Sequence, residues 1–386
     1  MRFTMNYPSQ RSPLDEAVAL FEQGRLQDCV QRCRAIEAAQ PGQPKVAELA
    51  GTALLALGDA AGALPFLERA AAVATAPQPL VNLAAAHAGL GWFDRARATL
   101  VGARSRFPGD AGVETVRLLL DSVPFFPQIG FQGWHAPERQ VYMSAAVHLQ
   151  AGGAGRLRIL ELGSYMGSSA ITWGEAVARL TRREASLTCV DAWEDAETTQ
   201  YGSGTRMESS LKSGAGYRVF QHNLQFLPSQ VEPVTIKSFT EPALKRLEGP
   251  YDIIYIDACH LYEEALSDVR LSKALLAEGG FICGDDLERQ LSEVDAEHAR
   301  RHARSDYVLD PRSKSHFHPG VTLAVAEELG PVSAYRGFWI MQKRGERFLP
   351  VDMNGAHGLI PRHWPEDRFG EIRSNIALDG HLARLF

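Results

Sequence analysis

Two stretches decide the fold of this 386-residue chain: Tyr251-Asp252-Ile253-Ile254-Tyr255-Ile256-Asp257-Ala258-Cys259-His260 and Gly279-Gly280-Phe281-Ile282-Cys283-Gly284-Asp285-Asp286. Each is a short apolar run that ends in acid. Such a run, bounded by glycine or polar residues, reads as a buried strand of a parallel sheet. The carboxylates then lie at the C-terminal ends of the strands, where open α/β sheets bind ligands. Three acids converging there repel one another unless a cation or protons compensate. A hard divalent ion is the leading expectation. The alternative is that the acids merely cap the helices that follow.

Working outward, strand and helix alternate from Arg156 onward. Arg158–Leu162, Leu187–Asp191 and Val234–Ser238 read as strands, and Ser168–Leu180 as a helix. Val332–Tyr335 and Gly337–Lys343 read as a closing pair joined by Arg336. Alternation of this kind predicts an α/β doubly wound parallel sheet, Rossmann-like, with an antiparallel edge. The first strand runs into Glu161-Leu162-Gly163-Ser164-Tyr165-Met166-Gly167-Ser168-Ser169. Glycines there let backbone approach a ligand, and a helix start offers N–H groups to an anion. Asp191 ends the second strand, where an acid holds ribose hydroxyls or else caps a helix. Trp193 either stacks on ribose or adenine or is a core residue. Ser238 ends the third strand, at the adenine edge or simply as a strand terminus.

The first hundred residues have a different grammar. Gly24, Gly58 and Gly91 recur at intervals of 34 and 33 residues, and five residues after each stands a small one, Cys29, Ala63 or Ala96. Glycine permits a tight turn between helices, and small residues let paired helices approach. The expected layout is helical repeats over 12–110, a connector with a possible lid helix over 111–155, the α/β domain over 156–345 and an extension over 346–386. The aromatic run Ser122–Trp134 is expected to pack domains together or to cover a substrate.

Bulk properties exclude several classes. A net charge of -6 gives no footprint for nucleic acid. The chain has no apolar run of transmembrane length and no apolar signal core at its start, so a cytoplasmic protein is expected. The five cysteines are scattered and are expected to be reduced thiols.

Residues 156–343 resemble a class I S-adenosylmethionine-dependent methyltransferase. The form Glu161-Leu-Gly163-x-Tyr165-x-Gly167-x-Ser169 is similar to the catechol O-methyltransferase branch. That resemblance implies that Tyr165 and Ser169 contact the methionine part of S-adenosyl-L-methionine. It also implies Mg2+ on Asp257, Asp285 and Asp286, the last standing where that branch has asparagine. The branch's general-base lysine falls at His260. The wider pattern, with Leu261-Tyr262-Glu263-Glu264-Ala265-Leu266-Ser267-Asp268 and His318-Pro319-Gly320-Val321-Thr322, resembles the bacterial family of macrolide-sugar O-methyltransferases and cephalosporin-hydroxylase-like proteins. The first segment resembles tetratricopeptide repeats, which implies a protein or peptide partner, or self-association. On these resemblances a metal-bound hydroxyl gives its proton to His260 and takes a methyl group, the acceptor being a small molecule or a glycosyl group. A repeat-centred interaction protein with an inactive cofactor domain, and a hydroxylase-like enzyme, are the alternatives. His316 and His318 lie on the loop after the fifth strand, where a substrate contact is the alternative to a plain structural role.

Overall fold

The glycine spacing marks one turn that the structure repeats three times. Gly24, Gly58 and Gly91 have φ of 71°, 78° and 70°, the left-handed region that glycine enters without steric cost. At each, the glycine N–H donates to a carbonyl three residues back, and the next N–H donates to one five residues back. The turns join α1 (Pro13–Glu22) to α2 (Leu26–Ala39), α3 (Pro44–Ala56) to α4 (Ala60–Ala72), and α5 (Gln78–Gly89) to α6 (Phe93–Arg106). Cys29, Ala63 and Ala96 are each fully buried where the paired helices meet. α7 (Ala111–Ser122) packs on α5 and α6. Residues 12–127, 137–194, 206–364, 370, 373–375 and 379–385 of this computed structural model are described. The chain divides into two units, Met1–Ile129 and Gly130–Phe386.

The expected connector is therefore not a linker along its whole length. α7 belongs to the first unit, and Phe125 meets Phe93 edge-on at 5.7 Å within it. α8 (Pro137–Leu149) packs on α9 (Ser168–Leu180) in the second unit. The remainder of the aromatic stretch, from Gln128 to Trp134, lies outside the described residues, as does Phe369.

The second unit is a doubly wound sheet. Its strands are β1 (Leu157–Leu162), β2 (Ala185–Asp191), β3 (Val231–Lys237), β4 (Tyr251–Ile256) and β5 (Leu276–Leu287). They alternate with α9, α10 (Arg206–Lys212), α11 (Ala215–Asn223), α12 (Thr240–Leu244) and α13 (Tyr262–Leu275). After β5 come α14 (Ala296–Arg301), the small ladder β6 (Val308–Leu309) with β7 (His316–Phe317), and α15 (Pro319–Leu329). β8 (Ser333–Tyr335), β9 (Gly337–Arg344) and β10 (Arg347–Pro350) complete the sheet. The strand order is β10-β9-β5-β4-β1-β2-β3, with β8 also on β9. β3, β2, β1, β4 and β5 run parallel, and β9 returns antiparallel to β5. Apolar clusters cover both faces: Val141, Trp173, Phe220 and Tyr255 on one, Leu160, Ile254, Val269 and Val325 on the other. The C-terminal extension belongs to this core, since Ala356, Leu382 and Leu385 are buried in the first cluster.

Candidate active site

Parallel pairing of β4 with β5, with Ile256 opposite Gly284, carries Asp257 and Asp285 to the same edge of the sheet. Asp286 follows with φ of 63°, held by its own N–H donating to Asp285 Oδ1 at 2.9 Å. A non-glycine residue in that region costs on the order of 1–3 kcal/mol and persists only where its surroundings impose it.

A residue that the sequence reading missed imposes it. Arg139, on α8, is nine-tenths buried and lies across the acids. Its Nη1 is 2.7 Å from Asp285 Oδ1 and 2.8 Å from Asp286 Oδ1, and its Nη2 is 2.8 Å from Glu288 Oε1. Nε donates to the Arg336 carbonyl at 2.9 Å. Gly337 makes the room, because a Cβ there would stand 2.4 Å from the guanidinium. The planar fork of arginine suits several carboxylates at once.

Two imidazoles lie against these acids. His260 Nε2 lies 2.9 Å from Asp286 Oδ2, and its Nδ1 lies 2.7 Å from Asp306 Oδ1. His318 Nδ1 lies 3.0 Å from Glu288 Oε2, and its ring centroid is 4.6 Å from that of His260. Burial opposes the charged form of His260, but Asp286 and Asp306 outweigh it and hold its pKa well above the ordinary value. Burial pushes Asp286 up, and His260, His318 and Arg139 bring it well below the usual carboxylate range. Asp285 ends at about 6, raised by burial and lowered in part by Arg139.

Asp257 is the acid whose neighbouring cations balance it least. Burial raises its pKa, Asp285 and Asp286 raise it further, and His260 and Arg139 offset this only in part. The Tyr255 phenol lies beneath, 3.3 Å from Asp257 Oδ2 and 3.5 Å from Asp285 Oδ2. A small cavity of about 20 Å³ lies beside the acids, walled by Val269, Val321 and Trp339.

The three aspartates expected on Mg2+ share this edge of the sheet, and Arg139 Nη1 takes the Oδ1 atoms of Asp285 and Asp286 while their Oδ2 atoms lie toward Tyr255 and His260. Other converging donors include histidine: Asp257 with His260 and Asp286, Asp286 with Glu288 and His318, and His260 with Asp306 and His318. Asp306 and Glu288 carried no motif signal. Glu288 directly follows β5, two residues after Asp286, and Asp306 reaches the site because the segment after β5 folds back over the sheet edge.

The glycine loop lies against the acid turn. Gly163 has φ of 86°, and a Cβ on it would stand 1.8 Å from the Asp257 carbonyl oxygen, so only glycine fits. Gly167, at φ 87°, precedes α9, and no side chain among the described residues caps that helix start. Its N–H groups and Ser169 suit a carboxylate such as that of the methionine part of the cofactor. Asp191 accepts from the N–H of Tyr165 at 2.8 Å and from that of Trp193 at 2.6 Å, tying the two loops together.

Four of the residues expected at the cofactor make contacts within the protein. Glu161 is fully buried and accepts from Ser164 Oγ at 2.5 Å, holding the loop from below. The Trp193 indole is in the core and donates to the Tyr165 carbonyl at 2.6 Å. The Tyr165 hydroxyl meets Ser210 Oγ at 2.7 Å. Ser238 is half-buried after β3, and its hydroxyl donates to the Phe239 carbonyl at 2.9 Å.

Residues 160–287 match the model of a family described as a methyltransferase domain. The second unit carries an S-adenosylmethionine-dependent methyltransferase domain. Among solved structures, CalS11, a calicheamicin methyltransferase, matches 65% of this chain and 92% of its own at 12% identity and a TM-score of 0.36. An O-methyltransferase described as putative, from Klebsiella pneumoniae, matches 64% and 95% at 16% identity and a TM-score of 0.35. A mutant of MamA matches 28% of this chain at 22% identity and a TM-score of 0.26, and the chain spans 63% of that protein. No curated protein matches the sequence.

Proposed function

We propose that this methyltransferase domain acts on oxygen, transferring the methyl group to a hydroxyl of a small molecule or glycosyl acceptor. One observation carries the reading: the glycine loop and the acid turn are in backbone contact at Gly163 and Asp257. A donor seated on the loop and an acceptor seated at the acids are therefore neighbours, and proximity supplies much of the rate. S-adenosylmethionine supplies a methyl group on a positively charged sulfur. Gly163, Gly167, Ser169 and Asp191 hold it. Asp257, with its raised pKa, takes the hydroxyl proton as the oxygen attacks. His260, charged between Asp286 and Asp306, stabilises the developing negative oxygen. The proton goes to Asp257 rather than to His260, whose two ring nitrogens both face carboxylates; Mg2+ on Asp257, Asp285 and Asp286 is the expectation that loss of turnover in chelator, with recovery on adding Mg2+, would support.

The test is transfer of labelled methyl from S-adenosylmethionine to hydroxylated acceptors, with cofactor affinity measured by calorimetry. Asp257→Asn is expected to lower turnover about 10²–10⁴-fold while cofactor affinity holds. Unchanged turnover in that variant, or no cofactor binding by the native chain, refutes the reading. Product lacking the labelled methyl group points to the hydroxylase-like alternative.

The first unit we read as tetratricopeptide-like and as the surface for a protein or peptide partner or for self-association, in a cytoplasmic protein. The threefold repetition of the turn favours it. All five cysteines are unpaired thiols, as a reducing compartment allows. Among the described residues, no helix is long and apolar enough to cross a membrane.

A further inference from the structure

We propose that His260, His318 and Asp306 bind a divalent transition ion, of the Mn2+, Fe2+, Co2+ or Zn2+ class, at the acceptor side of the site. The inference rests on the methyl-transfer reading and concerns a different ion on different ligands from the magnesium expected at Asp257, Asp285 and Asp286.

The geometry is that of a site with its outer layer already built. Each imidazole has one nitrogen held by a buried or half-buried carboxylate and the other turned toward Asp306. His260 Nε2 is held by Asp286 at 2.9 Å, and its Nδ1 faces Asp306 Oδ1 at 2.7 Å. His318 Nδ1 is held by Glu288 at 3.0 Å, and its Nε2 faces the same Asp306 oxygen at 4.0 Å. One ligand atom from each of the three lies within 4.8 Å of the others. Metal-bound histidines almost always present the far nitrogen to a carboxylate or carbonyl in this manner, which fixes the ring and its tautomer. Arg139 then fixes both outer carboxylates, Asp286 through Nη1 and Glu288 through Nη2.

The donor set decides the class of ion. Two imidazoles and one carboxylate suit Mn2+, Fe2+, Co2+ or Zn2+, whereas magnesium prefers oxygen and keeps its water. Three protein ligands leave positions open. Side-chain exposures of 14%, 25% and 11% for His260, Asp306 and His318 leave a way in from solvent. On binding, the ion would displace the proton between His260 Nδ1 and Asp306 and take over the positive charge of the imidazolium, and an acceptor hydroxyl bound there would be made more acidic beside Asp257, the base of the proposed reaction.

The experiment is titration of the full chain, stripped with chelator, with Co2+, Zn2+ and Mg2+ by calorimetry, with visible spectroscopy of the Co2+ form. We expect one Co2+ per chain, ligand-field bands showing nitrogen ligation, and far weaker Mg2+ binding. His318→Ala and Asp306→Asn should abolish Co2+ binding, and Glu288→Gln should weaken it about 10–100-fold. Asp285→Asn, outside the ligand set, should leave Co2+ bound. If a variant unfolds, loss of the His260 and His318 ring signals on adding Co2+ to the native chain decides the matter by NMR. Equal binding of Mg2+, undiminished Co2+ binding in His318→Ala and Asp306→Asn, or ring signals unmoved by Co2+ overturns the proposal. Co2+ on the histidines in a chain that binds no S-adenosylmethionine leaves this site standing and removes the methyl-transfer reading. The reverse result removes only the ion site.

Discussion

Arg139 shows how one residue reorganises the meaning of its neighbours. Three acids at the ends of two strands announce a need for positive charge, but not who meets it. A cation supplied from α8 answers part of that need before any ion arrives. Removing it leaves buried carboxylates uncompensated, a loss on the order of 3–5 kcal/mol for a buried pair. Arg139→Leu should therefore lower the urea midpoint strongly. Arg139→Lys should recover part of the loss, because an ammonium keeps the charge without the fork. A loss under about 1 kcal/mol in Arg139→Leu would show that the guanidinium is not the balancing charge. Its place was not legible in sequence, since it lies far along the chain in a helix with no motif. Asp257, Asp285 and Gly163 were legible because a strand end or a close backbone contact dictates their type.

Among the elements, α13 carries an unspent charge. Asp268 is fully buried on it, and among the described residues neither carboxylate oxygen has a hydrogen-bond partner. Ser272 Oγ and Glu264 Oε2, one turn to either side, are also buried without one. Burial raises the Asp268 carboxyl to about 7, against a smaller opposing pull from Thr240. The folded state thus binds this proton more tightly than the unfolded chain, whose aspartates titrate near 4. The stabilising contribution is present in full below about pH 4 and is lost as pH rises through about 7, some 4 kcal/mol in all. Asp268→Asn should flatten that decline, so its melting temperature should fall less than the native protein's between pH 5 and pH 8. Parallel pH curves for the two proteins would count against the buried charge. The strands, α9 and the repeat helices were legible from period and glycine placement. α8's role was not, because an amphipathic helix does not name the sheet it will cover.

For the whole molecule, the consequence concerns the segment after β10. In sequence, 346–386 is an extension without a motif. In the structure β10 pairs with β9, the Gly358 N–H donates to the Leu385 carbonyl at 2.8 Å, and Trp364 Nε1 donates to Gln140 Oε1 at 2.5 Å on α8. Trp364 and Leu382 are buried. Ending the chain at Pro350 should expose that face of α8 and the core cluster behind it, at roughly 2–5 kcal/mol for each large apolar side chain lost. The truncated protein should melt well below the native one or fail to fold, as circular dichroism with thermal melting will show; an unchanged melt would make the segment dispensable. The features readable along the chain alone are local: strand ends, the glycine loop, the repeat turn and the acids they carry, each set by backbone geometry or short-range pattern. Which cation meets those acids, which histidines face one another across Asp306, and what becomes of the C-terminal segment depend on the folded arrangement. Charge balance and packing are properties of neighbours in space, and residues 139, 257, 286, 306 and 318 become neighbours only when the sheet has formed.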